Sequence, residues 1–234
     1  MNIKSISFDL DDTLWPLMPT IIKAEKTTNE WIKLNYPGTS ALLNSKETIK
    51  IRDRLIKEKP HLIYQISDLR LEMFYELNKL AGYSDKESVL MAKKAFSIYF
   101  KGRNAIKFYE GVIETLEHLH KEYSLGVVTN GNADLEIIGI GHFFDYVFSA
   151  EDLKTLKPDP VMFEAVIEKT GLRANEICHI GDHPINDVKA SKDFGMNPIW
   201  FNSENLDFPI QGIEVDEFSD WYLLPELLKK LKLR

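Results

Sequence analysis

Apolar residues follow two different rhythms along this chain. Five short runs rich in β-branched and aromatic residues, at 5–8, 124–128, 146–149, 177–180 and 198–201, are bounded by polar or turn-forming residues and predict strands. Between the first run and the segment around Val112, about 90 residues carry apolar positions at three- and four-residue spacing, which predicts helices. These helices cover residues 19–34, 46–57, 62–80 and 85–100, with breaks at Tyr36-Pro37-Gly38, Lys59-Pro60 and Ala81-Gly82. Leu69, Met73, Phe74, Leu77 and Leu80 form one stripe, expected to pack inside a small bundle. From Gly111 onward, helices at 112–123, 160–170 and 185–194 alternate with strands, and a last helix is expected at 223–231. Such alternation predicts an α/β fold with a parallel sheet covered on its faces. Asp159 before Pro160 suits a helix start, and Gly171 and Gly195 suit helix ends.

Four of the strand-like runs end in groups that carry chemistry. The first leads into Asp9, Asp11 and Asp12, the second into Thr129-Asn130-Gly131, the third into an acidic loop and Lys157-Pro158, and the fourth into Gly181-Asp182. In an open parallel sheet all four tips lie along one edge, where ligands of α/β proteins bind. Neighbouring carboxylates repel and raise one another's pKa unless a cation compensates, so Asp9 and Asp11 point to a divalent metal. Taken alone, the pair is equally an ordinary acidic turn.

In kind and order, the motifs Asp9-Leu10-Asp11-Asp12-Thr13, Thr129-Asn130-Gly131, Lys157-Pro158, and Gly181-Asp182 with Asn186-Asp187 resemble those of the haloacid dehalogenase-like hydrolase superfamily. The resemblance spans nearly the whole chain. It implies a Rossmann-like core with helices on both faces, here residues 1–15 and 109–234, and a helical cap, residues 16–108, inserted after the first motif. It also implies the phosphatase branch of that superfamily.

Phosphoryl transfer needs an in-line nucleophile, a cation, donors around the phosphoryl group and a proton donor for the leaving alcohol. Asp9 is the candidate nucleophile, forming an aspartyl-phosphate, and Asp11 the candidate acid and then base. Mg²⁺ prefers oxygen ligands, so a side-chain oxygen of Asp9, the Asp11 carbonyl and Asp182 make a sufficient protein set. Asn186 and Asp187 are expected to orient those ligands from one layer further out. Thr129 offers a hydroxyl and Asn130 a backbone amide to the phosphate; Lys157 offers charge to both Asp9 and the phosphate. His142, His179 and His183 lack the close spacing of a zinc site. His179 reads as a satisfied interior group, while His183, beside Asp182, suits an outer-layer or substrate role.

The 234 residues suffice for one large or two small domains, and a formal charge of −7 argues against a general nucleic-acid or membrane-surface binder. The basic tail Lys229-Lys230-Leu231-Lys232-Leu233-Arg234 suits the cationic end of an amphipathic helix. A cytoplasmic enzyme acting on a small phosphomonoester, as monomer or homodimer, is expected; the single cysteine, Cys178, excludes an internal disulfide. Within the same fold, a dehalogenase releases halide without a metal; that branch typically carries an aromatic residue two places beyond the nucleophile, where this chain has Asp11. A mutase and a noncatalytic phospholigand-binding protein are further alternatives. Substrate choice is expected to lie in the helical insert. Trp15, Pro16 and Leu17 open that insert and read as packing residues. The segments 8–14 and 19–25 resemble bacterial phosphatases acting on flavin mononucleotide and on 5-amino-6-(5-phosphoribitylamino)uracil.

Overall fold

The computed structural model describes residues 2–43 and 45–232; Leu233 and Arg234 of the basic tail lie outside them. Two compact units are present, one made of residues 1–16 and 107–234, the other of residues 17–106.

The first unit is built on six parallel strands in the order β3-β2-β1-β4-β5-β6. They are β1 (Ser5–Phe8), β2 (Ser124–Thr129), β3 (Tyr146–Ser149), β4 (Ile177–Gly181), β5 (Asn197–Phe201) and β6 (Asp216–Phe218). Every residue of β1 and β4 is buried, the polar Ser5, Ser7 and His179 included, as expected of central strands covered on both faces. Phe8 pairs with Val127 on one side and Ile180 on the other, so β1 ends between β2, which continues to Thr129, and β4, which continues to Gly181. Helices Val112–Leu119, Val161–Thr170 and Leu224–Lys232 complete this Rossmann-like α/β unit. Asp159 accepts a hydrogen bond from the Val161 amide, and Gly171 and Gly195 adopt positive φ angles of 65° and 93° at helix ends. Strand β6 carries no legible signal: it is three residues long and two of them are acidic.

Two predicted helices differ in detail. Residues 112–123 are helical only to Leu119, after which a turn, closed by the Tyr123 amide on the Leu119 carbonyl, feeds β2. Residues 185–194 begin one residue earlier with a wide π turn, Pro184–Lys189, and become α-helical only at Ala190–Asp193. Such turns recur at functional sites.

The second unit contains helices Leu17–Asn35, Lys46–Glu58, Ile66–Leu80 and Asp85–Arg103. Ser45 caps Lys46–Glu58, and Ser84 with Glu87 forms a capping box on Asp85–Arg103. The predicted 62–80 helix is divided into a 3₁₀ turn, Pro60–Ile63, and Ile66–Leu80. The two faces of Ile66–Leu80 serve different neighbours: Leu69 and Leu77 pack with Ile51, Leu55 and Leu62, and Phe74 with Ile32, Met91 and Ala95. Leu80, expected in that stripe, is 54 % exposed in the last turn. Among the described residues no helix is long and apolar enough to cross a membrane.

Candidate active site

The carboxyl edge of the sheet gathers the polar groups from four strand tips. Asp9 follows β1 directly and stays tied to the sheet through its amide, which donates to the Ile180 carbonyl at 2.8 Å. Lys157 reaches the same point from the loop after β3. Its ammonium has three protons and uses all of them: Asp9 Oδ1 at 2.7 Å, Asp187 Oδ1 at 2.6 Å and the Val128 carbonyl at 2.7 Å. With 4 % of its surface exposed, Lys157 is the opposite of a solvated lysine.

Lys157 is gripped at its backbone as well. The Asn130 side chain accepts from the Lys157 amide at 2.7 Å and donates to the Lys157 carbonyl at 3.0 Å. Asn130 therefore spends its side chain on joining the second motif to the third, a use its place in the sequence did not indicate. The buried Thr129 hydroxyl accepts from the Gly131 amide, which closes the tip of β2. The peptide bond between Lys157 and Pro158 is cis.

Asp187, expected to orient the metal ligands, is buried with both carboxylate oxygens engaged. Besides Lys157, its Oδ1 faces His179 Nε2 at 3.0 Å, and its Oδ2 accepts from the His183 amide at 3.0 Å. Its approach requires Gly181, where a Cβ would sit 2.3 Å from the Asp187 Cγ. His183 is exposed and caps the following turn, accepting from the Ile185 and Asn186 amides through Nδ1. Asn186 thus enters through its backbone. His142 stacks on Phe143, with ring centroids 4.0 Å apart.

Asp182, half-buried, accepts from the Thr13 hydroxyl at 3.1 Å, while its carbonyl accepts from Trp200 Nε1 at 2.6 Å. Asp11 is held differently, by the Trp15 indole on its Oδ1 at 2.9 Å. Trp15 does pack, being wholly buried with Phe108 edge-on, yet its polar handle was not foreseen.

Electrostatics follow from this burial. Desolvation holds the Asp9 carboxyl well above the usual range despite Lys157, with Asp187 and Asp182 adding to the rise. Burial, then Asp187 and Asp12, push Asp182 up to about 7. For Asp187 burial is outweighed by Lys157 and His179, which hold it well below the ordinary carboxylate value. Burial by itself would lower Lys157, but Asp187 and Asp9 raise it. Burial likewise lowers His179, so its imidazole stays neutral. An ionised carboxylate only accepts, so His179 Nε2 carries the proton and donates to Asp187; Nδ1 then accepts from the Ser7 hydroxyl at 2.8 Å.

Carboxylate oxygens of Asp9, Asp182 and Asp187 lie within 4.8 Å of one another. Three carboxyl groups face the single ammonium of Lys157, so their full ionisation calls for further positive charge, and all the donors are hard oxygens. That set fits a small divalent cation such as Mg²⁺. The Asp11 carboxylate is not part of the cluster.

Comparison with known proteins agrees with the fold and the motif order. The family model for haloacid dehalogenase-like hydrolases matches residues 39–201, more than half of the chain. A crystal structure of 2-haloacid dehalogenase from Pseudomonas syringae pv. Tomato DC3000 superimposes with a TM-score of 0.93 at 34% identity, covering 98% of this chain and 99% of that one. The 5-amino-6-(5-phospho-D-ribitylamino)uracil phosphatase YigB of Escherichia coli strain K12 is 29% identical over 88% of this chain and 86% of its own. The phosphoglycolate phosphatase of Vibrio cholerae is 28% identical over 94% of this chain and 93% of its own. With the family match, the parallel sheet carrying acids and a buried lysine at its carboxyl edge is the framework of an α/β hydrolase. The chain belongs to the haloacid dehalogenase-like hydrolase family.

Proposed function

We propose that this hydrolase is a Mg²⁺-dependent phosphatase of small phosphomonoesters, working through an aspartyl-phosphate on Asp9. The observation that carries this reading is the buried Lys157 ammonium shared by Asp9 and Asp187, with Asp182 alongside. The lysine keeps the Asp9 carboxylate available as nucleophile and meets charge on the transferring phosphoryl group. Asp11 gives a proton to the leaving alcohol and later takes one from water. Thr129 and the backbone at Asn130 supply donors to the phosphoryl oxygens. Asp9, Asp182 and the Asp11 carbonyl would hold the Mg²⁺, with Asp187 and Asn186 orienting that set. The cation would neutralise phosphate oxygens during transfer.

Phosphatase names among the relatives support this reading, whereas the 2-haloacid dehalogenase structure supports a different one. The acid at position 11 favours the phosphatase: an alkoxide needs a proton to leave and a halide does not. The purified protein is expected to release phosphate from p-nitrophenyl phosphate with Mg²⁺ and to stop when a chelator is added. Asp9→Asn is expected to lower turnover at least about a thousandfold. Undiminished turnover by Asp9→Asn refutes the nucleophile assignment. Halide release from a 2-haloalkanoic acid, without phosphate release, replaces the reading altogether. A panel of flavin mononucleotide, 5-amino-6-(5-phosphoribitylamino)uracil, phosphoglycolate, nucleotides and sugar phosphates then identifies the preferred ester; uniformly feeble rates defeat the flavin-pathway choice.

A further inference from the structure

We infer that Trp15 is a positioning residue for proton delivery, its indole N–H fixing the orientation of the Asp11 carboxyl that serves the leaving alcohol. This rests on the phosphatase reading and names what aims its acid. Trp15 Nε1 donates to Asp11 Oδ1 at 2.9 Å from a ring with no exposed surface. The ring is fixed against Phe108 at a centroid distance of 5.8 Å and an angle of 71°.

The loop between the two residues is closed by its own backbone. The Asp12 amide donates to the Trp15 carbonyl at 2.8 Å, and the Leu14 amide to the Leu10 carbonyl at 2.8 Å. The Tyr109 amide, at 3.0 Å from the Leu14 carbonyl, pins it from outside. Asp12 takes the left-handed conformation, φ 60°, that so tight a return requires. The indole therefore cannot drift from the carboxyl without opening the loop.

An indole nitrogen is a donor only. Asp11 Oδ1 therefore accepts from it, which fixes the plane of the carboxyl and so the direction in which Oδ2 is presented. In the first half-reaction an oxygen of the Asp9 carboxylate bonds to phosphorus as the ester P–O bond breaks. The released oxygen takes a proton from the Asp11 carboxyl, leaving alcohol, aspartyl-phosphate and the Asp11 carboxylate, with charge conserved. Aiming this proton matters most for esters of weakly acidic alcohols, whose alkoxides cannot leave unprotonated; p-nitrophenolate can.

The test is Trp15→Phe, which keeps an aromatic ring against Phe108 and removes the N–H with the rest of the pyrrole ring. For wild type and variant, kcat/KM is measured on p-nitrophenyl phosphate and on an alkyl ester such as glucose 6-phosphate; this quantity reports steps up to release of the alcohol. The alkyl ester is expected to lose at least about thirtyfold more than the aryl ester, within the range of a misaimed general acid. Equal losses on both esters, or none, overturn the role, since general loosening of the loop has no reason to discriminate by leaving group. Should Trp15→Phe fail to fold, the indole N–H proton of Trp15 is followed by NMR in wild type and Asp11→Ala. A clear upfield shift on loss of the acceptor supports the contact, and an unmoved signal refutes it. A wild type that hydrolyses neither ester overturns the phosphatase reading, and the catalytic role with it, whatever the indole signal does.

Discussion

Lys157 shows how much a single side chain can hold at this sheet edge. Its ammonium faces two carboxylates and a carbonyl in a region closed to water, and taking one partner from a buried ion pair costs about 3–5 kcal/mol. Lys157→Ala is accordingly expected to lower unfolding stability by about that much, read from the urea midpoint, as well as to abolish activity. A variant as stable as the wild type would mean that Asp9 and Asp187 are not charged together. Asp182 makes the opposite contribution. Its carboxyl is pushed up to about 7 from an ordinary 3.8, so between those values the folded protein keeps a proton that the unfolded chain has released. The metal-free protein should therefore lose stability through this group as pH rises from about 4 to about 7, with no further loss above. Melting temperatures measured in chelator should show that slope, Asp182→Asn should flatten it, and Mg²⁺ should reduce it by taking the proton's place. A slope unchanged in Asp182→Asn would place its origin in another group.

Among the elements, strand tips were the legible part. Asp9, Thr129 and Asp182 each directly follow or end an apolar run, and a parallel sheet brings such ends together whatever their separation along the chain. What stayed hidden depends on register. Ser7 and His179 are cross-strand partners in β1 and β4, 172 residues apart, and no local pattern announces that they align to hold Asp187. The π turn that swings Asp187 inward, and the Trp15 indole bond to Asp11, were hidden for the same reason: both are loop geometries, where hydrophobic spacing carries no information. Glycines mark two such close approaches. At Gly126 a Cβ would lie 1.9 Å from the Tyr146 ring, whose hydroxyl bonds Ser5 Oγ. Gly126→Ala is thus expected to cost about 1–3 kcal/mol by overpacking between β2 and β3, seen as an earlier denaturant midpoint. An unshifted midpoint would show that Tyr146 can swing aside freely.

At the scale of the whole molecule, the chain combines a sheet whose neighbouring strands are far apart in sequence with a unit of α-helices. The unit formed by residues 17–106 packs its helices into small clusters, with ion pairs such as Arg54 to Glu76 and Lys59 to Glu72 at its exposed surface. The sheet unit has the opposite character: β1 stands at its centre between β2 and β4. That placement has a consequence for how the protein is made. Ser5–Phe8 leaves the ribosome before either of its flanking partners, 124–129 and 177–181, has been synthesised. The residue proposed to attack phosphorus therefore follows a strand that gains one neighbour when 124–129 is made and the other only when 177–181 follows. Only when β4 emerges can Asp9, Lys157 and Asp182 meet, so a nascent chain arrested before that strand has no assembled site to act with.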